Sequence, residues 1–269
     1  MKILVTGTAG FIGFHLTEKL SSLGHSVTGI DNINEYYDVN LKYDRLKHSG
    51  IEKDKIEYGK KVQSTTLSNY NFIKLDLTDR DNLFSLLEKE QFDCICNLAA
   101  QAGVRYSLED PFTYINNNIN GFINILEGCR NNNIKHLIYA SSSSIYGINE
   151  KIPFSINDKT DNPISLYAAT KKSNELMAYT YSHLFNIPCT GLRFFTVYGP
   201  RQRPDLAIYK FTDKMCSSES FPFFGDGSMG RDFTYIDDTV NGVLLALDWC
   251  VKEKANMIYL TLESHILYH

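Results

Sequence analysis

Short β-branched runs alternating with helix-period segments predict an α/β fold: a doubly wound parallel sheet with helices on both faces. Two further observations support it. Residues 92–98 are almost wholly apolar, as expected for a strand buried on both sides. Gly7, Gly10 and Gly13 stand between the first strand and the first helix, where a parallel fold makes its first turn.

The elements follow in order. Residues 2–6 read as a strand, and Ile12, Leu16, Leu20 and Leu23 then recur at helical spacing. Strands are expected at 26–30 and 71–75, and a helix at 82–89 on Leu83, Leu86 and Leu87. After the buried strand at 92–98 comes a long helix over about 112–130. A strand at 135–140, a helix at 166–185 and a strand at 189–194 continue the alternation. One stretch, 32–68, breaks the cadence and is rich in Tyr, Lys and Asn. Leu41, Arg45 and Leu46 suit a short helix there, and the remainder is expected to wrap the surface. Beyond residue 195 the composition shifts toward Gly, Pro and Arg, which marks a loop-rich lobe. The expected division is a dinucleotide-binding domain over 1–195 with an insertion at 32–68. A smaller substrate lobe over 196–269 is partly interleaved with it.

Charge and cysteine usage narrow the functions. In 269 residues, 27 Lys and Arg stand against 31 Asp and Glu, so a nucleic-acid surface, which needs a basic excess, is not expected. A polyanionic membrane surface is disfavoured for the same reason, and no apolar run reaches the ~18 residues of a membrane span. The first residues lack a clear small-residue cleavage site, and Glu18 and Lys19 follow closely, so no secretory leader is read. The six cysteines, 94, 96, 129, 189, 216 and 250, form no C-x-x-C pair and no metal-ligand cadence. Buried free thiols in a reducing cytoplasm are expected.

The turn Gly7-Thr8-Ala9-Gly10-Phe11-Ile12-Gly13 is G-x-x-G-x-x-G between a strand and a helix. Absent side chains let the backbone approach a pyrophosphate, whose charge sits at the positive helix N-terminus. Asp31 ends the second strand, 18 residues beyond Gly13. A carboxylate there accepts from ribose hydroxyls and repels a 2′-phosphate, which favours NAD over NADP. Asp76, ending the third strand in KLDLTD, is a candidate for the adenine amino group. Asn32 and Leu77, the neighbours of these two acids, complete that side of the cofactor set.

Tyr167 and Lys171 lie four apart on a predicted helix, hence on one face. With 17 Tyr and 19 Lys in the chain, about one such pair arises by chance. Tyr43/Lys47 and Tyr70/Lys74 also match, but the first lies in the 32–68 excursion and the second on a strand, where this spacing does not align side chains. Tyr167/Lys171 alone lies on a long helix after a hydroxyl-rich strand end, Ser141-Ser142-Ser143-Ser144. A phenol with a pKa near ~10 is a poor base at neutral pH. An adjacent ammonium and an oxidised nicotinamide would favour the phenolate. Lys171 can also hold the nicotinamide ribose, and Ser142 or Ser144 would bridge Tyr167 to a substrate hydroxyl.

The ordered segments VTGTAGFIG, DNINEYYDVNLKYDRL, NLAAQAGVRYS, ASSSSIYG, Tyr167 to Lys171, LRFFTVYGPRQRPD and GDGSMGRDFTYIDD resemble those of the extended short-chain dehydrogenase/reductases. The resemblance is to their sugar-nucleotide branch, and within it to the UDP-glucuronate 4-epimerases of bacterial capsule and lipopolysaccharide synthesis. It implies a Rossmann-type fold, NAD as cofactor, a UDP-sugar substrate and a homodimer. It places Asn118, Ala99 and Ala100 near the cofactor. Arg105 and Thr196 fall on the substrate side. Arg231 resembles the arginine at the substrate diphosphate, and Arg203 the arginine near the uronate carboxylate. Asn97 departs from the pattern, since relatives often carry His there.

Three readings stay open at this point. An epimerase would oxidise C4′ and return the hydrogen to the other face. A 4,6-dehydratase or decarboxylase is the second, but dehydratases of this fold place an Asp-Glu pair where this chain has Ser143 and Ser144. An idle NAD-binding remnant is the third, because the resemblance stops near residue 256. The tail 258–269 has no Gly, Arg or Lys and reads as an abrupt, truncated ending of an incomplete substrate lobe.

Overall fold

The computed structural model describes residues 1–221, 226, 230–253, 257–262 and 267–268. Strand β1 (Lys2–Thr6) leads through the glycine turn into helix α1 (Phe11–Ser22), and β2 (Ser26–Asp31) follows. The excursion holds a helix, α2 (Val39–His48), and a short strand, β3 (Lys61–Gln63). Next come β4 (Tyr70–Lys74), α3 (Arg80–Glu90) and β5 (Cys94–Asn97), whose side chains are all buried. The helix expected over 112–130 is not continuous. It is built from α4 (Pro111–Tyr114), a π-helical turn (Ile115–Asn120) and α5 (Gly121–Asn131). Local π-turns of this kind recur at functional sites. Strand β6 (His136–Ser142), the twenty-residue helix α6 (Leu166–Phe185) and β7 (Cys189–Phe194) complete the alternation. Beyond them lie β8 (Thr196–Tyr198), α7 (Ala207–Cys216), β9 (Arg231–Tyr235), α8 (Ile236–Glu253), β10 (Met257–Leu262) and β11 (Leu267–Tyr268).

Eight strands form one sheet in the order β10-β7-β6-β5-β1-β2-β4-β3, parallel except for the edge strand β3. The chain winds outward from β1 to β2 and β4, then returns to β5 on the other side of β1. The strand order therefore reverses between β1 and β5, and a crevice opens beyond their C-terminal ends. Alternation along β1 sends Ile3 and Val5 into the core under α1 and α8, and Leu4 into the core under α3, α5 and α6. Leu16 and Leu20 are buried as expected, whereas Leu23 caps α1 and is 55% exposed.

One sequence expectation is corrected, that of uniformly buried thiols, and two are made more specific. Part of the tail has regular structure: Met257–Leu262 pairs with β7 along its whole length as an edge strand of the sheet. The short helix expected on Leu41, Arg45 and Leu46 is α2, and it carries Tyr43 and Lys47 within the excursion. Cys216 is an exposed thiol, while Cys94, Cys96, Cys129 and Cys189 are buried and free. The Cys250 side chain, residues 263–266 and 269 of the tail, and part of GDGSMGRDFTYIDD lie outside the described residues.

Candidate active site

The glycine turn is folded onto itself. Gly7 adopts φ +78° and donates to Ile30 O at 2.7 Å, and Gly10 donates to Gly7 O at 3.0 Å. A Cβ on Gly13 would lie 2.1 Å from Gly7 O, and one on Gly7 would lie 3.0 Å from Ala99 N. Both distances exclude a side chain, so the turn sits flush against the ends of β1 and β5. Gly10 caps α1 without a side chain, and no acidic residue occupies the first turn. Its N–H groups are therefore left for an anion.

Asp31 is buried beside this turn. It accepts from Ala9 N at 3.1 Å and from Ile33 N at 2.8 Å. Asn32 donates to Asp76 at 2.8 Å, and Asp76 also accepts from the Thr78 backbone and hydroxyl. These bonds fix the Asp76 carboxylate as a loop cap. Leu77 is buried, close against the backbone of Gly121. Ala99 donates to Thr6 Oγ1 at 2.9 Å, and Ala100 beside it is half-buried. Thr6 in turn donates to Asn97, which uses that amide oxygen at the strand end. Asn118 lies in the π-turn, fully engaged. Its side chain bonds both backbone groups of Gln101 and donates to Thr170 Oγ1 at 3.0 Å. It thus ties the loop after β5 to α6.

Ser165 caps α6 by accepting from Ala168 N at 3.1 Å, and Tyr167 and Lys171 follow on one face. Lys171 is buried and donates to Ala140 O at 2.8 Å. Burial lowers its pKa to about 8. Tyr167 is half-buried, edge-on to Tyr114 with ring centroids 6.2 Å apart. Desolvation raises its pKa, while the neighbouring Ser142 hydroxyl and the charge of Arg203 pull it back.

The serine run divides by role. Ser141 is structural: it donates to Glu175, which also receives a bidentate pair from Arg193 at 2.9 and 3.0 Å. Ser142 faces Tyr167 and accepts from Ser144 Oγ at 2.9 Å.

The substrate-side residues are less uniform. Arg203 pairs through Nε and NH2 with Asp205, at 2.9 and 2.5 Å. Tyr36, from the excursion, lies below the guanidinium and donates to the same carboxylate at 3.3 Å. Thr196 opens β8, directly after the end of β7. Arg231 is exposed on β9 and donates to Gly230 O, its own neighbour. Arg105 is exposed before the short turn Tyr106–Leu108, whose Tyr106 ring meets Tyr36 and Tyr114. Tyr36, Tyr114 and Asp205 were not singled out from sequence. DNINEYYDVNLKYDRL and RQRPD contain two of them, but only the fold shows that these segments meet.

Comparison with known proteins places this geometry. The profile of the NAD dependent epimerase/dehydratase family matches residues 3–260. Protein CapI of Staphylococcus aureus is 56% identical over 243 residues, which span 90% of this chain and 68% of that protein. A probable UDP-glucuronate 4-epimerase of Rhizobium meliloti (strain 1021) is 47% identical over 244 residues, 91% of this chain and 67% of that protein. Among solved structures, the UDP-glucuronic acid 4-epimerase from Bacillus cereus, in complex with UDP-glucuronic acid and NAD, superposes with a TM-score of 0.84. It is 35% identical, and the match covers 100% of this chain and 79% of that one.

Proposed function

The chain belongs to the NAD dependent epimerase/dehydratase family, and from that premise we propose that it interconverts UDP-glucuronate and UDP-galacturonate by epimerisation at C4. The carrying observation is the arrangement at the end of β6: Tyr167 beside Ser142, one turn from buried Lys171 and within the field of Arg203. Synthesis of capsule or lipopolysaccharide precursors is the corresponding role.

The residues present fit NAD. A cradle that admits no Cβ, an uncapped helix N-terminus and the buried Asp31 carboxylate suit a diphosphate and a ribose diol. Gly7, Ala9, Gly10, Phe11, Ile12 and Gly13 would hold the diphosphate side. Asp31 and Asn32 would hold the adenosine ribose, and Asp76 and Leu77 the adenine. Ala99, Ala100 and Asn118 would border the nicotinamide. When bound, NAD supplies the reversible oxidation at C4. Tyr167 would take the C4 hydroxyl proton and later return it, with Ser142 or Ser144 bridging the phenol and the substrate hydroxyl. Lys171 has donors beyond the one given to Ala140 and would grip the nicotinamide ribose.

Arg203 supplies selectivity. Oxidation at C4 puts a ketone two carbons from the C6 carboxylate, and such a β-keto acid readily loses CO₂. Side-on pairing with Asp205 uses Nε and NH2 and leaves the end-on edge of the fork for that carboxylate. Thr196, Arg105 and Arg231 are proposed to contact the rest of the UDP-sugar. Incubation of the purified protein with UDP-glucuronate, read by NMR of the sugar, tests the assignment. UDP-galacturonate is the expected product, and a pentose or a 4-keto-6-deoxy sugar would replace the reading.

A homodimer is part of the proposal. Leu176, Tyr179 and Leu184 form an exposed stripe on α6 at 57%, 57% and 60%, and Phe112 on the adjacent α4 is 78% exposed. Apolar stripes of this kind mark association surfaces. Light scattering on the eluting protein gives the mass directly. Among the described residues, no helix is long and apolar enough to cross a membrane.

A further inference from the structure

Arg45 is the most deeply buried cation outside the catalytic pair, at 1% exposure, and among the described residues it pairs with no carboxylate. Its guanidinium is nonetheless saturated with neutral acceptors. NH1 donates to Ala9 O at 2.9 Å and to Tyr37 Oη at 2.7 Å. Nε and NH2 converge on Arg201 O at 3.1 and 2.7 Å, and NH2 also reaches Gln202 O at 3.4 Å. One planar group thus joins the glycine turn, the excursion and the loop after β8. Lysine, with three donors on a single point charge, has no equivalent geometry. The same loop is gripped from α1, where His15 Nε2 bonds Pro200 O at 3.0 Å. A carbonyl only accepts, so His15 carries its proton on Nε2. Arg201 holds a left-handed backbone at φ +60°, and Arg203 lies two residues further on.

We propose that Arg45 is a positioning residue that couples the glycine turn to the Arg203 loop. Order imposed on the turn by a dinucleotide is then carried to the side chain that reads the substrate. The connection is direct, since Ala9 O and Arg201 O bind the same guanidinium and neither can shift without displacing it. The kinetic consequence rests on the proposed role of Arg203, but the structural coupling does not.

Hydrogen exchange of the full chain, with and without NAD, tests it in the parent, Arg45→Met, Arg45→Lys and Leu87→Ala. Leu87 lies in the opposite core and serves as a stability control. In the parent, NAD is expected to slow exchange over residues 200–206 roughly fivefold or more, within the usual range of coupling between sites. Arg45→Met should abolish that slowing while NAD still protects residues 7–13, Arg45→Lys should keep a fraction of it, and Leu87→Ala should keep all of it. With UDP-glucuronate, Arg45→Met should raise KM more than it lowers kcat. If Arg45→Met does not fold, the partial loss in Arg45→Lys carries the test. Equal NAD protection of 200–206 in the parent and the Arg45 variants overturns the coupling, as does equal loss in Leu87→Ala. A parent that shows the coupling but does not turn over UDP-glucuronate refutes the functional reading and leaves the coupling standing.

Discussion

Ser142 accepts from both the backbone N–H of Ser144, at 3.2 Å, and its hydroxyl, at 2.9 Å. Ser142 also lies close enough to Tyr167 for its hydroxyl to pull the phenol pKa down against desolvation. We therefore propose the order Tyr167, Ser142, Ser144 running away from the phenol.

The first prediction follows from that order. Tyr167→Phe should remove turnover by ~10²–10⁴-fold, the usual range for a general acid-base group, while NAD remains bound. Ser142→Ala should be more damaging than Ser144→Ala, because Ser142 and not Ser144 influences the phenol. Tyr43→Phe, the matched pair on α2, should be silent. Steady-state rates on UDP-glucuronate check all four variants, and full activity in Tyr167→Phe would refute the assignment.

The second concerns cofactor choice. Asp31 is buried with both oxygens bonded to backbone N–H groups, so it cannot swing away from a 2′-phosphate. Acid release of the copurified nucleotide and its mass should identify NAD. Asp31→Ala should relax the preference and weaken NAD. Finding NADP in the parent would reverse the argument.

How much of this was legible beforehand depends on the range of the interactions. Strand and helix positions follow from local periodicity, so β1, α6 and β7 fall where the pattern puts them. The break between α4 and α5 does not, because the π-turn is stabilised by Asn118 bonding to Gln101 and Thr170, distant in sequence. Gly7 and Asp31 stood out by their place at the ends of β1 and β2, and Tyr167 and Lys171 by their long helix after a serine-rich strand end, since their spacing alone recurs by chance. Asp205 was not, since a carboxylate two residues from an arginine has no signature until the loop brings both to Tyr36. The strand at Met257–Leu262 was missed because a tail without Gly or Pro gives no turn signal, and only pairing with β7 reveals it.

The third prediction concerns Arg203 and Asp205. Arg203→Ala should weaken use of UDP-glucuronate and raise the share of decarboxylated product, because the β-keto carboxylate is no longer held. Asp205→Asn should keep the charge of Arg203 but loosen its fork, raising KM with less effect on kcat. NMR of the product mixture gives the partition. Equal parent activity on UDP-glucose and UDP-glucuronate would count against any carboxylate reader.

The fourth concerns acid stability and lies away from the site. His136 on β6 is 3% exposed; Nε2 meets Thr190 Oγ1 at 3.0 Å, and Nδ1 has no partner. Desolvation holds its pKa at about 4 in the folded chain, against 6.5 when free. Between those values the unfolded chain binds the extra proton and the folded chain does not, so stability falls as pH drops from about 6.5 toward 4. Above 6.5 both states are neutral and the group contributes no pH dependence. At ~1.4 kcal/mol per unit, the loss across the window is about 3 kcal/mol. Carboxylates such as Asp93 and Glu90, held low by hydrogen bonding and nearby lysines, lose stability in acid as well, so the wild-type slope alone is not diagnostic. His136→Gln keeps a group to meet Thr190 but cannot titrate. Urea unfolding of both proteins at pH 7 and pH 4 isolates the histidine, since the carboxylate contributions cancel in the difference. The variant should lose about 3 kcal/mol less than the parent between the two pH values, and identical losses would show that His136 is not buried in its neutral form.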